Sequence, residues 1–270
     1  MRDSLEAIGG NMTNYIYLLY GQQDDCYLEA AYGIGTLLKR IDAQTSRVIV
    51  FTDREEKIKK WPVICESIAP DLVAMQGPTR FIHRTKLCVI LRCLDKYSGN
   101  LIYLDSDTFV AGDINLLANQ LNPGTTIMDS FESKNPLPEL TGFQTLLAGK
   151  IHYAYTKNSV MNNAGVIGLH RSDRRLAEEA LALCDALLAT GNRRHTIEQF
   201  SISETMRLAD TKIIKSHGVI IHYVKAKLYV REQVLKWIHK TGRQPWEFER
   251  AIPYWYPAIK FMKLFGKYTS

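Results

Sequence analysis

Two aspartates one residue apart, Asp105 and Asp107, follow directly on the apolar run Leu101-Ile-Tyr-Leu104. A buried strand that ends in carboxylates delivers them to the carboxyl edge of an α/β sheet, where such sheets bind ligands. In an extended backbone both side chains point the same way, so both can approach one hard divalent cation. Mg2+ or Mn2+ takes few protein carboxylates and fills its remaining positions with water and phosphate oxygens. A cation held there can neutralise a departing diphosphate, which transfer from a nucleoside-diphosphate sugar requires. An isolated DxD pair usually does no more than cap a turn. The preceding strand is what makes this one a candidate site.

Hydrophobic spacing gives the elements that must position these residues. Tyr15-Ile-Tyr-Leu-Leu-Tyr20 and Arg47-Val-Ile-Val-Phe-Thr-Asp53 are nearly continuous apolar runs, as in a parallel sheet covered on both faces. Leu72-Val-Ala-Met75 reads as a weaker third strand and Leu101 to Leu104 as the fourth. Residues 27–41 and 81–97 have helical spacing, the second ending at Ser98-Gly99. Alternating strands and helices predict an α/β, Rossmann-like, mainly parallel sheet with helices on both faces. Residues 122–158, with Pro123, Pro136 and Pro138, read as a loop-rich insertion. Gly165 to Leu169 reads as a strand. Ser172 reads as the cap of a helix presenting Leu176, Ala180, Leu183, Leu187 and Leu188 on one face and stopping at Gly191. Val219-Ile-Ile221 is the last strand and leads to His222.

The chain has 270 residues, enough for one large α/β core. No apolar run approaches the roughly 18 residues that a spanning helix needs. The first residues have no long apolar core, so no secretory leader is expected. Cys26, Cys65, Cys88, Cys93 and Cys184 are odd in number and show no CxxC spacing, so reduced, mostly buried thiols and a cytoplasmic protein are expected. The net charge is +6, but twelve Lys/Arg and four acids lie from Asp210 onward, so that stretch alone carries +8. Such an excess asks for a diphosphate, an anionic lipid or a nucleic acid. Nothing resembles a zinc finger, an RNA-recognition motif or a helix-turn-helix, so no nucleic acid is expected.

Four stretches resemble the GT-A nucleotide-sugar glycosyltransferases, especially family 8, the group of glycogenin and the bacterial lipopolysaccharide galactosyltransferases. They are Thr85-Lys-Leu87, Tyr103-Leu-Asp-Ser-Asp-Thr-Phe-Val110 with Gly112-Asp113, Asn163-Ala-Gly-Val166, and His222 after its short apolar strand. The resemblance spans roughly Tyr15 to His222. It implies a GT-A catalytic domain over residues 14–224, preceded by an extension (1–13) and followed by a basic, aromatic segment (225–270). The implied activity moves a hexose from UDP-glucose or UDP-galactose to a glycan or lipid-linked glycan, as in lipopolysaccharide synthesis, with retention of configuration.

The resemblance also assigns residues. Asp105, Asp107 and His222 would hold Mn2+ (or Mg2+), the imidazole favouring Mn2+. Asp105 and Ser106 would face the nucleotide, and Tyr20 and Asp53 would lie where base and ribose bind. Lys86 would reach the donor's sugar or phosphate, and Asn163 would line the sugar and acceptor side. Glu198-Gln199 stand where the family has Asp-Gln. Gln199 would face the reacting carbon, with the longer Glu198 as its neighbour. The family's closing His…Gly…Lys-Pro-Trp segment is replaced by Tyr223-Val-Lys-Ala-Lys-Leu228, without the Gly, Pro and Trp. Lys225 or Lys227 would take the diphosphate. The tail, with Pro253-Tyr-Trp-Tyr-Pro257 and Ile259-Lys-Phe-Met-Lys-Leu-Phe265, resembles those that seat such enzymes on membranes. Lysines would meet anionic headgroups on the inner face while aromatics sit at the interface, unless the aromatics pack back onto the catalytic domain.

Three rival readings fit less well. Haloacid-dehalogenase-type phosphatases need Thr two residues beyond the second Asp, where Phe109 stands. A sugar-nucleotide nucleotidyltransferase would carry a Gly-rich, basic loop after the first strand, whereas Gly21-Gln-Gln-Asp-Asp-Cys26 is acidic. An inactive GT-A-fold binding protein would tend to lose the DxD pair or His222.

Overall fold

Alternation along the apolar runs builds the protein, because neighbouring side chains of a strand leave on opposite faces. The computed structural model describes residues 12–147, 149–248 and 252. In chain order its elements begin β1 (Thr13–Leu19), α1 (Asp24–Leu38), β2 (Ser46–Thr52), α2 (Glu55–Ile58), β3 (Ile64–Ser67), α3 (Leu72–Met75) and α4 (Arg84–Lys96). They continue β4 (Asn100–Leu104), β5 (Thr108–Val110), α5 (Ile114–Ala118), β6 (Thr125–Met128), β7 (Phe131–Lys134), β8 (Gln144–Leu147), β9 (Ile151–Ala154) and β10 (Val160–Asn162). The last are β11 (Val166–Leu169), α6 (Arg174–Ala189), α7 (Ile197–Leu208), β12 (Lys212–Lys215), β13 (Ile220–His222) and α8 (Lys227–Thr241).

The central sheet has seven strands in the order β12-β6-β11-β4-β1-β2-β3. All neighbouring pairs are parallel except the two made by β11. Ile16, Ile49, Phe51, Leu101, Tyr103, Ile167 and Leu169 face one core with Leu87, Leu183 and Phe200 of α4, α6 and α7. Tyr15, Tyr17, Val48, Val50, Ile102, Leu104 and Val166 face the opposite core with Ile34 and Leu37 of α1 and Leu117 of α5. The fold is therefore an α/β sheet covered on both sides, consistent with a Rossmann-like arrangement.

Several local expectations need correction. Leu72–Met75 is a helical turn, closed by Met75 N–H donating to the Asp71 carbonyl at 2.8 Å. The third strand is the polar edge segment Ile64–Ser67 instead. A four-residue apolar run has no periodicity that separates strand from helix. Within 122–158, Thr125–Met128 is an interior strand of the main sheet, and β8 and β9 pair as a hairpin. Ser172 does not cap α6; its hydroxyl bonds His170 and Asp173 within a short 3-10 turn. Of the five thiols, Cys93 and Cys184 are buried, Cys65 is exposed and all are free.

After β13 the chain packs back onto the body. Val230 and Val234 of α8 bury against Tyr32 of α1, with Phe109 and Tyr223. Trp246 lies over α1, where a Cβ on Gly35 would come within 2.5 Å of its carbonyl oxygen. The aromatic runs expected at 253–270, and residues 1–11 of the expected extension, lie outside the described residues. Among the described residues no helix is long and apolar enough to cross a membrane.

Candidate metal centre

β4 ends at Leu104, and the chain turns through Asp105-Ser106-Asp107 before β5 begins. The Thr108 hydroxyl donates to the Asp105 carbonyl at 2.7 Å and closes that turn. The two aspartates therefore converge through a turn, not through the extended backbone that spacing alone suggested. Asp113, past the end of β5, caps α5, its Oδ1 accepting from the N–H groups of Asn115 (3.0 Å) and Leu116 (3.1 Å).

His222 reaches the aspartates because β13 pairs antiparallel with β5, in a register that sets His222 opposite Thr108. The Tyr223 N–H adds a bond to the Asp107 carbonyl at 3.0 Å. His222 Nε2 lies 3.3 Å from Asp107 Oδ1 and 3.9 Å from Asp105 Oδ2. Ligand atoms of Asp105, Asp107 and His222 all fall within 4.8 Å of one another. The opposite ring nitrogen, Nδ1, is 3.0 Å from Asn163 Oδ1 and 3.5 Å from Asp129 Oδ2. A partner that fixes one imidazole nitrogen leaves the other free as a ligand. Two carboxylates and one such imidazole fit Mn2+, and Mg2+ less well.

Cationic side chains press on the same carboxylates. Lys227, on the first turn of α8, sits 3.0 Å from Asp107 Oδ2. Lys86, on α4 and only 9% exposed, lies 3.2 Å from Asp105 and 2.8 Å from Glu198, and donates to the Ala164 carbonyl at 3.2 Å. Burial alone would weaken both ammonium groups, but Asp105 and Glu198 for Lys86, and chiefly Asp107 for Lys227, raise them above the usual lysine value. His222 behaves likewise: burial disfavours its charge, yet Asp107, Asp129 and Asp105 raise it to about 10. Burial would raise Asp107, and His222 with Lys227 instead pulls it well below the usual carboxylate range.

Beside the candidate triad lies a group of amides. Asn163 Oδ1 also accepts from the Gly165 N–H at 2.9 Å. Gln199 Oε1 accepts from the Ala164 N–H at 3.0 Å. Glu198 is 3% exposed and turned to Lys86. Tyr20 donates to the Ile82 carbonyl at 3.0 Å, and burial, offset by Lys86, raises its hydroxyl to about 12. Asp53 stands further along the edge, both oxygens accepting from the Gly21 N–H at 3.1 and 3.2 Å. Ser106 lies 3.5 Å from Glu29 Oε2. Lys225 is exposed on a 3-10 turn, so of the two candidate lysines only Lys227 meets the candidate triad.

Sequence reasoning missed four participants. Asp129 follows β6 as Asp105 follows β4, but Thr125-Thr-Ile-Met128 is half threonine and gives a weaker strand signal. Glu132 on β7 accepts from both Asn163 and Gln199. Glu29, buried in α1, pairs with Arg231 at 2.8 Å, and Arg231 also holds Asp25 at 2.7 Å. Arg231 follows Lys227 by one helical turn, so α8 presents two cations along one side. No protein-family model matches the chain, and no curated protein matches it.

Proposed function

We propose that the chain is a metal-dependent glycosyltransferase of the GT-A kind, resembling family 8. It would move a hexose from a UDP-sugar, UDP-glucose or UDP-galactose, to a glycan or lipid-linked glycan. The observation that carries this reading is that each aspartate of the metal triad also has a lysine on it, at 3.0 and 3.2 Å. A structural metal gains nothing from neighbouring ammonium groups, which repel it. A bound diphosphate would gain from both, because Lys227 could turn to its oxygens and the buried charge of Lys86 would lie nearby.

In this reading Asp105, Asp107 and His222 hold Mn2+ or Mg2+, and Asn163 with Asp129 keeps the imidazole turned toward it. When bound, the metal offsets charge on the departing diphosphate. Lys227 exchanges Asp107 for a phosphate oxygen. Lys86, buried against Asp105 and Glu198, stays in place and supports the donor side. Gln199 and Asn163 stand toward the sugar, where positive charge develops as its bond to phosphate breaks. Glu198, neutralised by Lys86, is a neighbour and not a base, which favours retention. The basic C-terminal stretch would meet anionic lipid on the cytoplasmic face, near a lipid-linked acceptor.

The test is thermal stabilisation by UDP in Mn2+ and in EDTA. UDP should stabilise the wild type far more with Mn2+, and Asp107→Asn should abolish the difference while leaving a folded protein. Equal stabilisation with and without metal in the wild type would falsify the reading.

A further inference from the structure

Glu132 is an exposed carboxylate on β7, a strand outside the central sheet that pairs with β10. Its Oε1 accepts from Asn163 Nδ2 at 2.7 Å and its Oε2 from Gln199 Nε2 at 2.8 Å. Both amides are themselves fixed at their other ends, Asn163 by Gly165 and His222 and Gln199 by Ala164. Glu132 is thus one amide group removed from the imidazole of the metal triad. Among the described residues no lysine, arginine or histidine pairs with it.

Hydrogen bonds at an exposed carboxylate add little to stability, since water competes for both partners. They do fix its direction, and two anchored amides aim this one as a supporting shell aims a binding group. A carboxylate has room for about four hydrogen bonds, and the amides use two. The remaining lone pairs suit hydroxyl donors, which a carbohydrate supplies in adjacent pairs. Position then decides which carbohydrate. Tyr20 and Asp53 follow β1 and β2 on one side of β4, whereas β7 continues from β6 on the other. Glu132 therefore lies across the metal triad from the nucleotide edge.

We infer that Glu132 is an acceptor-recognition residue, receiving hydroxyl groups of the incoming sugar; this rests on the glycosyl-transfer reading. The experiment compares wild type with Glu132→Gln, which keeps size and removes charge. Both are saturated with UDP and Mn2+ and titrated with methyl glucosides, methyl galactosides and lactose by saturation-transfer NMR. Affinities for UDP and UDP-hexose are measured in parallel.

Hexoside binding should weaken about tenfold or more, the usual consequence of removing a charged hydrogen-bond partner, with UDP and UDP-hexose affinities unchanged. Equal hexoside binding by both proteins overturns the inference, as does absence of hexoside binding to the wild type. A selective loss of UDP-hexose affinity would place the carboxylate on the donor sugar and overturn the acceptor assignment. Joint loss of hexoside and UDP binding would reduce Glu132 to a support for Asn163. If UDP binds the wild type without help from Mn2+ while hexosides still depend on Glu132, the transfer reading fails and sugar recognition stands.

Discussion

The imidazole of His222 lies against the backbone of Gly165 so closely that a Cβ there would sit 2.2 Å from Nδ1 and 2.3 Å from Cε1. Both atoms belong to a buried ring already tied to Asn163, so the ring cannot shift without leaving the aspartates. Gly165→Ala should therefore cost about 1–3 kcal/mol of stability, as overpacking does, and should also abolish the Mn2+-dependent gain from UDP. Urea denaturation and a Mn2+ titration measure the two effects. A variant that keeps the wild-type Mn2+ response would show that His222 is not a ligand.

Lys86 and Glu198 form a buried ion pair, and removing one partner leaves the other charged and desolvated. Lys86→Met should destabilise by about 3–5 kcal/mol, and Lys86→Met/Glu198→Leu should recover part of that loss. A double-mutant cycle in urea reads the coupling. Additive losses would mean that the pair contributes nothing as a pair.

Lys227 and Lys225 are separated by one residue but differ in surroundings. Lys227→Ala should weaken UDP binding in Mn2+ by about tenfold, while affinity for Mn2+ alone holds or rises because Asp107 loses a competitor. Lys225→Ala should leave both unchanged. Calorimetric titration of metal and nucleotide separates the cases, and a larger effect at Lys225 would reverse the assignment.

Gln199→Ala should lower turnover far more than donor affinity, since its contact matters chiefly as charge develops on the sugar. Glu198→Gln should be milder. An α-linked product is expected from an α-linked UDP-hexose, read from the anomeric coupling by proton NMR. A β-linked product, with Glu198→Gln inactive and Gln199→Ala nearly normal, would move the chemistry to Glu198 and make it inverting.

Much of the sheet was legible because β1, β2 and β4 are long enough to show their burial on both faces. β3 and β12 were not, since Ile64-Cys-Glu-Ser67 and Lys212-Ile-Ile-Lys215 are edge strands with polar ends. Asp105, Asp107 and His222 could be named as a set, but not how they meet: β13 contributes only three residues, and its pairing with β5 is a long-range choice. Lys227 could not be separated from Lys225 before the start of α8 was known. Glu132 lay hidden because nothing in Phe131-Glu-Ser-Lys134 marks a carboxylate held by two distant amides.

The small sheet of β5 and β13 has a consequence for the order in which the protein becomes competent. Asp105, Asp107 and β5 leave the ribosome well before β12, β13 and α8, and domains assemble as their segments emerge. Until β13 is threaded beside β5, Asp105 has Lys86 beside it, but Asp107 has neither His222 nor Lys227. A nascent or prematurely terminated chain can thus complete much of its central sheet while the candidate triad stays unfinished. On the proposed metal reading, competence to load the ion would wait for His222 and Lys227, which are made in the last quarter of the sequence.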